Sequence, residues 1–388
     1  MKTRVPAAFA DLAEPMQIDH HRILAALDQH GLHWPPYPQQ FGTPDLAGQA
    51  AARAYPMQGI LKYHGMSDWE WRIAFLPSIS VCNDAGATLT LVEFDPALEH
   101  DTLMIGGRPA SGRELERVTQ SLDAIRRLAG VATRARVRSR NTVRASIFGK
   151  GLGTSASASA ALALAAIGAL YGSELAANSR FVSAMARLLA GSGCRSATGG
   201  VSLWLAYPGI QHDESFAIRL DNAQQLDTMR LITVPIDTTI GLHTEAAHHD
   251  APQSSFFRAW MQSRTAEVLE CLAAVRRGDW QTLGQWAEID SMRLHGVTMS
   301  GGNEQKLIGW EPINISFFRM CNRLRADGIP VYCSTDTGPT AVFMTDAAHE
   351  DAVVEAIRHL DAGLEIIRGR AAGPATLVDT AVARAELA

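Results

Sequence analysis

Apolar positions along the chain recur in two periods, and the switch between them divides the sequence into elements. Alternating runs bounded by glycine, proline and asparagine predict strands over 60–66, 71–75, 78–81, 88–92 and 102–105. The short turns between them suggest an antiparallel sheet. Leu115, Val118, Leu122, Ile125 and Leu128 then fall at helical spacing with arginines between them, which predicts an amphipathic helix over 111–128, followed by a strand over 131–139. An alanine-dominated stretch over 156–171, interrupted by serines, reads as a closely packed interior helix and not as a membrane span.

A helix over 180–189 and a strand over 201–206 follow. The second half predicts a strand at 231–234 stopped by Pro235, helices at 254–276, 279–292 and 313–326, and strands at 331–335 and 341–344 with Asp336 at the tip of their hairpin. A helix at 353–360 and a strand at 364–367 complete a β-β-α-β ending of the ferredoxin-like kind. Residues 1–56 stand apart, with a helix near 21–30 and a proline-rich passage at 34–38, and read as an appended arm. His20 and His21 point in different directions on such a helix and do not make a metal site.

Composition narrows the class. A chain of 388 residues exceeds what one hydrophobic core organises and implies two domains. Hydrophobic residues at 47% and charged residues at 19% are those of a soluble globular protein. A net charge of −5 argues against a dedicated nucleic-acid surface, although the arginines over 134–144 form a basic patch suited to small anions. Five scattered cysteines without a C-x-x-C pair indicate neither a disulfide framework nor zinc, and fit a reducing cytoplasm. No basic segment followed by an apolar run opens the chain, so no signal peptide is expected.

Four passages carry candidate chemistry. The first, F-G-K-G-L-G-T-S-A-S at 148–157, is a glycine-rich turn opening a helix. Gly149, Gly151 and Gly153 permit close backbone approach, and Thr154, Ser155 and Ser157 place hydroxyls beside the free N–H groups of a first helical turn. That pattern suits a nucleotide phosphate and a magnesium ion, but it also opens ordinary buried helices, and its spacing matches neither the P-loop nor the dinucleotide fingerprint. In K-Y-H-G-M at 62–66, Lys62 is either a solvent-facing strand residue or a cation aimed at an anionic ligand. The third passage, G-S-G-C-R-S-A-T-G-G at 191–200, sets one arginine among small residues, where its planar fork suits a carboxylate or phosphate. In S-T-D-T-G-P-T at 334–340, Asp336 either caps its own turn or acts as an acid–base group.

Taken together and in their chain order, 62–66, 151–157, 191–200 and 334–340, the four passages resemble the mevalonate-diphosphate decarboxylase family of the GHMP kinase superfamily, over roughly 59–367. The resemblance implies an α+β two-lobe fold with a C-terminal ferredoxin-like lobe and a central cleft. It divides the chain into an extension at 1–56, a nucleotide and substrate lobe at 57–206 and a second lobe at 207–388. It also implies a cytoplasmic carboxy-lyase of the mevalonate pathway of isoprenoid biosynthesis, a homodimer, with a phosphorylated mevalonate as small-molecule partner and neither nucleic acid nor membrane. ATP with Mg2+ would phosphorylate the tertiary 3-hydroxyl, and phosphate and carbon dioxide would then leave.

By motif, Asp336 orients or deprotonates that hydroxyl, Lys62 holds both, and Arg195 grips the substrate carboxylate. Tyr63, His64, Ser192 and Ser196 seat the substrate. Gly151, Gly153, Thr154, Ser155 and Ser157 hold the nucleotide, with Ser155 on the metal. His64 and Met66 stand where the diphosphate-using enzymes usually carry tryptophan and a second lysine, so one cation is missing and a smaller charge is implied. K-Y-H-G-M itself, S-I-S-V-C at 78–82 and V-Y-C-S-T-D-T-G at 331–338 look more like the phosphomevalonate decarboxylases that make isopentenyl phosphate. Lys150 and the absence of a Phe-Pro before the glycine turn depart from the nucleotide-binding pattern. The alternatives are an ATP-independent mevalonate 3,5-bisphosphate decarboxylase, a diphosphomevalonate decarboxylase, and a noncatalytic metabolite-binding protein.

Overall fold

Period-2 runs with apolar residues on both faces fold as strands covered on both sides, and these strands form the middle of the molecule. A computed structural model describes residues 3–143, 152–222, 224–238, 244–302 and 307–388. In chain order, helix α1 (Ala10–Gln29) precedes strands β1 (Gln49–Ala54) and β2 (Met57–Leu61). A short hairpin, β3 (Met66–Asp68) and β4 (Ile73–Ala74), leads to β5 (Ser78–Cys82) and the long β6 (Gly86–Asp95). Next come β7 (Thr102–Ile105), β8 (Arg108–Ala110), α2 (Arg113–Ala129), β9 (Arg134–Val143) and α3 (Thr154–Ala176). Helices α4 (Ser179–Ala186) and α5 (Gly193–Thr198) lead to β10 (Val201–Trp204) and β11 (Ala217–Arg219).

The second half opens with β12 (Met229–Val234), then α6 (Thr244–Asp250), α7 (Phe257–Arg277), α8 (Trp280–Gly301) and α9 (Pro312–Ala326). Strands β13 (Tyr332–Thr335) and β14 (Ala341–Asp346) form the Asp336 hairpin, followed by α10 (Glu350–Leu360) and β15 (Ile367–Gly369). Strand β16 (Thr376–Val378) and α11 (Thr380–Leu387) end the chain.

Three main sheets result, ordered β16-β1-β6-β9-β7-β8, β11-β10-β5-β2 and β13-β14-β12-β15. The first is not wholly antiparallel as the short turns suggested, because β7 pairs with β9 in parallel across the α2 crossover. Helix α3 is long and apolar enough to span a membrane, yet its apolar residues are buried against β1 and β6. The third sheet alternates its faces: Leu231 and Met344 join the large core shared with the first half, whereas Ile232, Val234 and Phe343 form a second core with Phe317, Val353 and Ile357 from α9 and α10. The two lobes thus share one core across their seam.

The expected arm at 1–56 is only partly separate. Its last residues form β1, inside the six-stranded sheet, and Phe9, Leu12 and Met16 pack with Phe75, Phe257 and Trp260. Tertiary burial, which local pattern does not report, extends α1 well upstream of residue 21 and across Pro15. Likewise Lys62 falls just beyond β2, in the turn to β3, and not within a strand.

Gly153 sits at φ +71°, and a Cβ there would lie 2.4 Å from the Met57 carbonyl oxygen. The glycine therefore lets the start of α3 approach the β2 backbone, a requirement of the fold whatever the turn binds. Gly153→Ala should lower unfolding free energy by roughly 1–3 kcal/mol, measured by urea denaturation without ligand. A wild-type midpoint would show that the approach tolerates a side chain.

Candidate active site

The seam between the lobes brings β2, α5, α8 and the β13–β14 hairpin together. Lys62 is 3% exposed, and its Nζ donates to the Gly59 carbonyl at 2.7 Å, Ser334 Oγ at 2.7 Å and Asp336 Oδ1 at 2.8 Å. Gln58 Nε2 also reaches Ser334 Oγ at 2.9 Å and Asp336 Oδ1 at 3.3 Å. A Cβ on Gly59 would sit 2.7 Å from Lys62 Cδ and 2.9 Å from Asp336 Oδ1, so glycine there leaves room for the pair. Burial pulls the Lys62 ammonium below its usual 10.5, and the Asp336 carboxylate opposes the shift. Oδ2 of Asp336 has no protein partner among the described residues, and the side chain keeps 18% exposure. One oxygen is held and the other faces the opening.

Helix α8 fixes this hairpin from behind. His295 Nε2 lies 2.9 Å from the Asp336 carbonyl and Ser291 Oγ accepts from the Thr335 N–H at 3.0 Å, while Trp310 Nε1 donates to Thr335 Oγ1 at 3.0 Å. The carbonyl requires Nε2 to carry the proton. Burial takes the His295 pKa down to about 3, so the ring is neutral.

Arg195 comes from α5, a single short helix where small residues alone suggested a loop. Its guanidinium is buried beneath Tyr63 and Trp204, with ring centroids 5.2 and 6.0 Å away. It donates to Ser78 Oγ and meets Met57 Sδ at 3.4 Å; its Nε has no partner, and no carboxylate pairs with it among the described residues. A buried cation without a counter-ion is costly, and a ligand carboxylate would relieve it.

The expected substrate residues divide. Tyr63 lines the Arg195 side, stacks on His248 at 5.4 Å, and interacts with Ser192 at the start of α5. His64 is fully buried behind it. The Thr298 hydroxyl already donates to the Leu294 carbonyl, so His64 Nε2 donates to Thr298 Oγ1 at 3.2 Å, and its Nδ1 lacks a partner. Burial holds the His64 pKa at about 3. Ser196 is fully buried beside the Cys82 thiol, whose pKa burial pushes up to about 12, and does not open onto the same space as Ser192.

The nucleotide residues also divide. Gly151 and Lys150 lie outside the described residues. Thr154 and Ser155 line a cavity of about 230 Å³ between α2, α3 and the six-stranded sheet, with Leu103, Val137 and Leu162 as apolar walls and Arg117 at its edge. Ser157 points the other way: fully buried, it bonds Thr88 Oγ1 at 2.6 Å and the Thr154 carbonyl at 3.0 Å. That corrects its expected place on the phosphates, because residues two apart on a helix face different sides. No group of three His, Cys, Asp or Glu side chains suited to a metal occurs among the described residues, so a magnesium ion at this cavity would draw on Ser155, on Glu114, which also lines it and pairs with Arg108, and on ligand oxygens.

Two residues that pattern did not single out hold Lys62 in place. Asp290 Oδ2 accepts from the Lys62 N–H at 2.6 Å and from Arg264 Nη2 at 2.9 Å, while Oδ1 accepts from Trp260 Nε1 at 2.8 Å. Arg264 Nη2 also donates to the Lys62 carbonyl at 3.0 Å. The fully buried ion pair clamps both faces of the Lys62 peptide backbone.

Residues 54–217 match the model of the diphosphomevalonate decarboxylase-like N-terminal domain. The chain is similar to the phosphomevalonate decarboxylase of Haloferax volcanii, 35% identical over 332 residues that cover 85% of this chain and 98% of the relative. The mevalonate 3,5-bisphosphate decarboxylase of Thermoplasma acidophilum is 29% identical, covering 76% of this chain and 70% of its own. Among solved structures, the mevalonate diphosphate decarboxylase of Enterococcus faecalis superposes with a TM-score of 0.76 at 25% identity, over 86% of this chain and 99% of that one. Together with the two sequence relatives, this likeness supports an α+β two-lobe fold.

The clamp predicts an unequal pair of mutants. Asp290→Asn takes from Arg264 its hydrogen-bonded counter-ion and leaves it only Glu267, at 3.4 Å, so it should cost up to about 3–5 kcal/mol in urea unfolding. Trp260→Phe removes one hydrogen bond and should cost about 1–3 kcal/mol, since the Asp290 oxygen it leaves is buried. Equal, small losses would show that the clamp does not bear on stability.

Proposed function

The chain belongs to the mevalonate-diphosphate decarboxylase family and is an enzyme of the carboxy-lyase type, and on that premise we propose that it decarboxylates a 5-phosphorylated mevalonate with ATP. The observation that carries the reading is the pairing of two incomplete groups at one seam: an Arg195 guanidinium without a carboxylate and an Asp336 carboxylate with one free oxygen. We read the β12–β15 lobe as ferredoxin-like, the seam as the substrate cleft, and 57–206 and 207–388 as the two lobes.

In this reading the tertiary hydroxyl of the substrate lies on Asp336 Oδ2, which orients it and takes its proton as the γ-phosphoryl group is transferred. Lys62 fixes Oδ1. Arg195 grips the substrate carboxylate in two places, aligning the C–C bond with the 3-phosphate that leaves. As the C–O bond to phosphate breaks, the C–C pair becomes the new double bond and carbon dioxide departs. ATP would supply the phosphoryl group, Thr154 and Ser155 at the cavity by α3 would hold it, and Ser155 would hold the Mg2+, which would offset phosphate charge.

The 5-substituent is the remaining variable. Met66, apolar and buried, favours a monophosphate and isopentenyl phosphate as product, as does the Haloferax relative. The Enterococcus enzyme keeps the diphosphate in view. A second reading, ATP-independent decarboxylation of the 3,5-bisphosphate, is favoured by the Thermoplasma relative and by Ser157, which is turned away from any nucleotide.

Purified protein offered the 5-phosphate, the 5-diphosphate and the 3,5-bisphosphate of mevalonate, each with and without ATP and magnesium, distinguishes the three. Carbon dioxide from the bisphosphate alone, without ADP, would establish the second reading; release from none would end all three. Asp336→Asn should lower turnover at least about a hundredfold on the substrate that is used. Ala158→Phe fills the cavity beside Ser155 and should abolish stabilisation of the fold by ATP, about 2.7 kcal/mol at a hundred times the dissociation constant in the wild type. Persistence of that stabilisation in the variant would place the nucleotide elsewhere.

A further inference from the structure

The hairpin of β3 and β4 carries an arginine in a conformation that nothing in the hairpin itself explains. Arg72 has φ +51°, and among the described residues every other positive φ belongs to glycine. The strain is imposed from both sides of the preceding residue. The Trp71 N–H donates to Asp68 Oδ1 at 2.9 Å, and the Trp71 carbonyl accepts from the fully buried Arg187 Nε at 2.8 Å. Asp68 is itself held by the Arg4 N–H at 2.9 Å. A backbone fixed this firmly in an unfavourable region aims a side chain.

The side chain lands on the substrate seam. Arg72 lies over Trp69, 5.6 Å from its ring centroid, and Trp69 packs with Tyr63 against Met66 and Trp204. Arg195 lies over Tyr63 and Trp204 of that same aromatic group. Two guanidiniums therefore flank one aromatic platform, and neither has a carboxylate among the described residues.

The groups that act on the Arg72 charge are Tyr63 and Arg113, and neither is a carboxylate. Arg113 is satisfied by Glu245. Arg117 donates to the Leu189 carbonyl at 2.7 Å, at the head of the segment that runs through Ser192 into α5 and Arg195, and its Nε is buried without a partner. Burial lowers the pKa of both Arg72 and Arg117, Arg113 depresses each further, and His248 is neutral at ordinary pH. An excess of partly buried, mutually repelling cations is stabilised by a dianion.

We infer that Arg72, supported by Arg117, forms the subsite for the terminal phosphate of the substrate, at the end of the molecule remote from Asp336. This rests on the decarboxylase reading above, and it places the cation that Met66 cannot supply six residues later, on the hairpin tip. A phosphate monoester dianion is the ligand class that fits.

The test combines kinetics with a binding readout that needs no turnover. Arg72→Gln should raise KM for the phosphorylated substrate at least about tenfold with kcat changed less than about threefold, since charged hydrogen bonds of this kind are worth a factor of ten or more. Inorganic phosphate should raise the thermal midpoint of the wild type and not that of the variant. Arg72→Gly, which removes the same charge while relieving the backbone, should bind as weakly and melt no lower than the wild type, which separates lost binding from lost folding. If the wild type turns over a phosphorylated mevalonate and both variants keep its KM and its phosphate response, the subsite is wrong. If the wild type decarboxylates none of them yet phosphate protection still depends on Arg72, the subsite stands and the decarboxylase reading falls.

Discussion

The contact between Lys62 and Asp336 joins the two halves of the chain, 274 residues apart, at a point where the lysine is shut off from solvent. A lysine that is 3% exposed retains its charge only where oxygens surround it, and every oxygen available to Lys62 Nζ comes from the seam: Gly59, Ser334 and Asp336. The lobes must therefore close on this point before the ammonium is tolerable. Asp290 and Arg264 complete the arrangement from the far side by gripping the backbone of the same residue. Side chain and main chain of Lys62 are both determined by the second lobe.

Against that constraint the arginines sort themselves by partner. Arg126 meets Asp101, Arg264 meets Asp290, and Arg187 is taken up by backbone carbonyls and His212, so these buried guanidiniums are structural. Arg195 and Arg72 are different, because aromatic faces and hydroxyls surround them where carboxylates would neutralise them. Stability alone would favour a counter-ion in the protein. Its absence leaves a positive seam suited to a small, multiply anionic molecule, with the Asp336 carboxylate hydrogen-bonded on one oxygen only.

Much of this was legible, and the failures have physical causes. Arg195 stood out because an arginine among glycines and serines has little else to do, and the hairpin around Asp336 followed from period-2 runs on either side. Lys62 was ambiguous, since its burial depends on α8, more than two hundred residues downstream. Asp290 and Arg264 resembled ordinary charges on amphipathic helices, and only the packing of α7 on α8 reveals that they face inward. The split between Ser155 and Ser157 could have been read from helical phase alone. Arg72 could not, because it stands in an aromatic-rich run whose strand period breaks at the turn, and the positive φ that aims it is a product of contacts with Asp68 and Arg187.

The histidines around the seam complete the electrostatic picture by contributing nothing to its charge. His64 and His295 are held near pKa 3 by burial, and His248 lies well below its usual value because burial is reinforced by His64 and Arg72. For each, the unfolded chain binds a proton below about pH 6.5 that the folded chain refuses, so acid weakens the fold through these rings. In the folded state near neutrality they are uncharged spacers: His295 donates to the Asp336 carbonyl, His64 to Thr298, and His248 accepts from the Gly65 N–H at 3.0 Å. The positive field of the seam therefore comes from the Arg195 and Arg72 guanidiniums and the Lys62 ammonium, and not from these rings. In the proposed reading, such a site holds its anion by guanidinium and ammonium groups, and Asp336 is the group whose free oxygen exchanges a proton with the substrate.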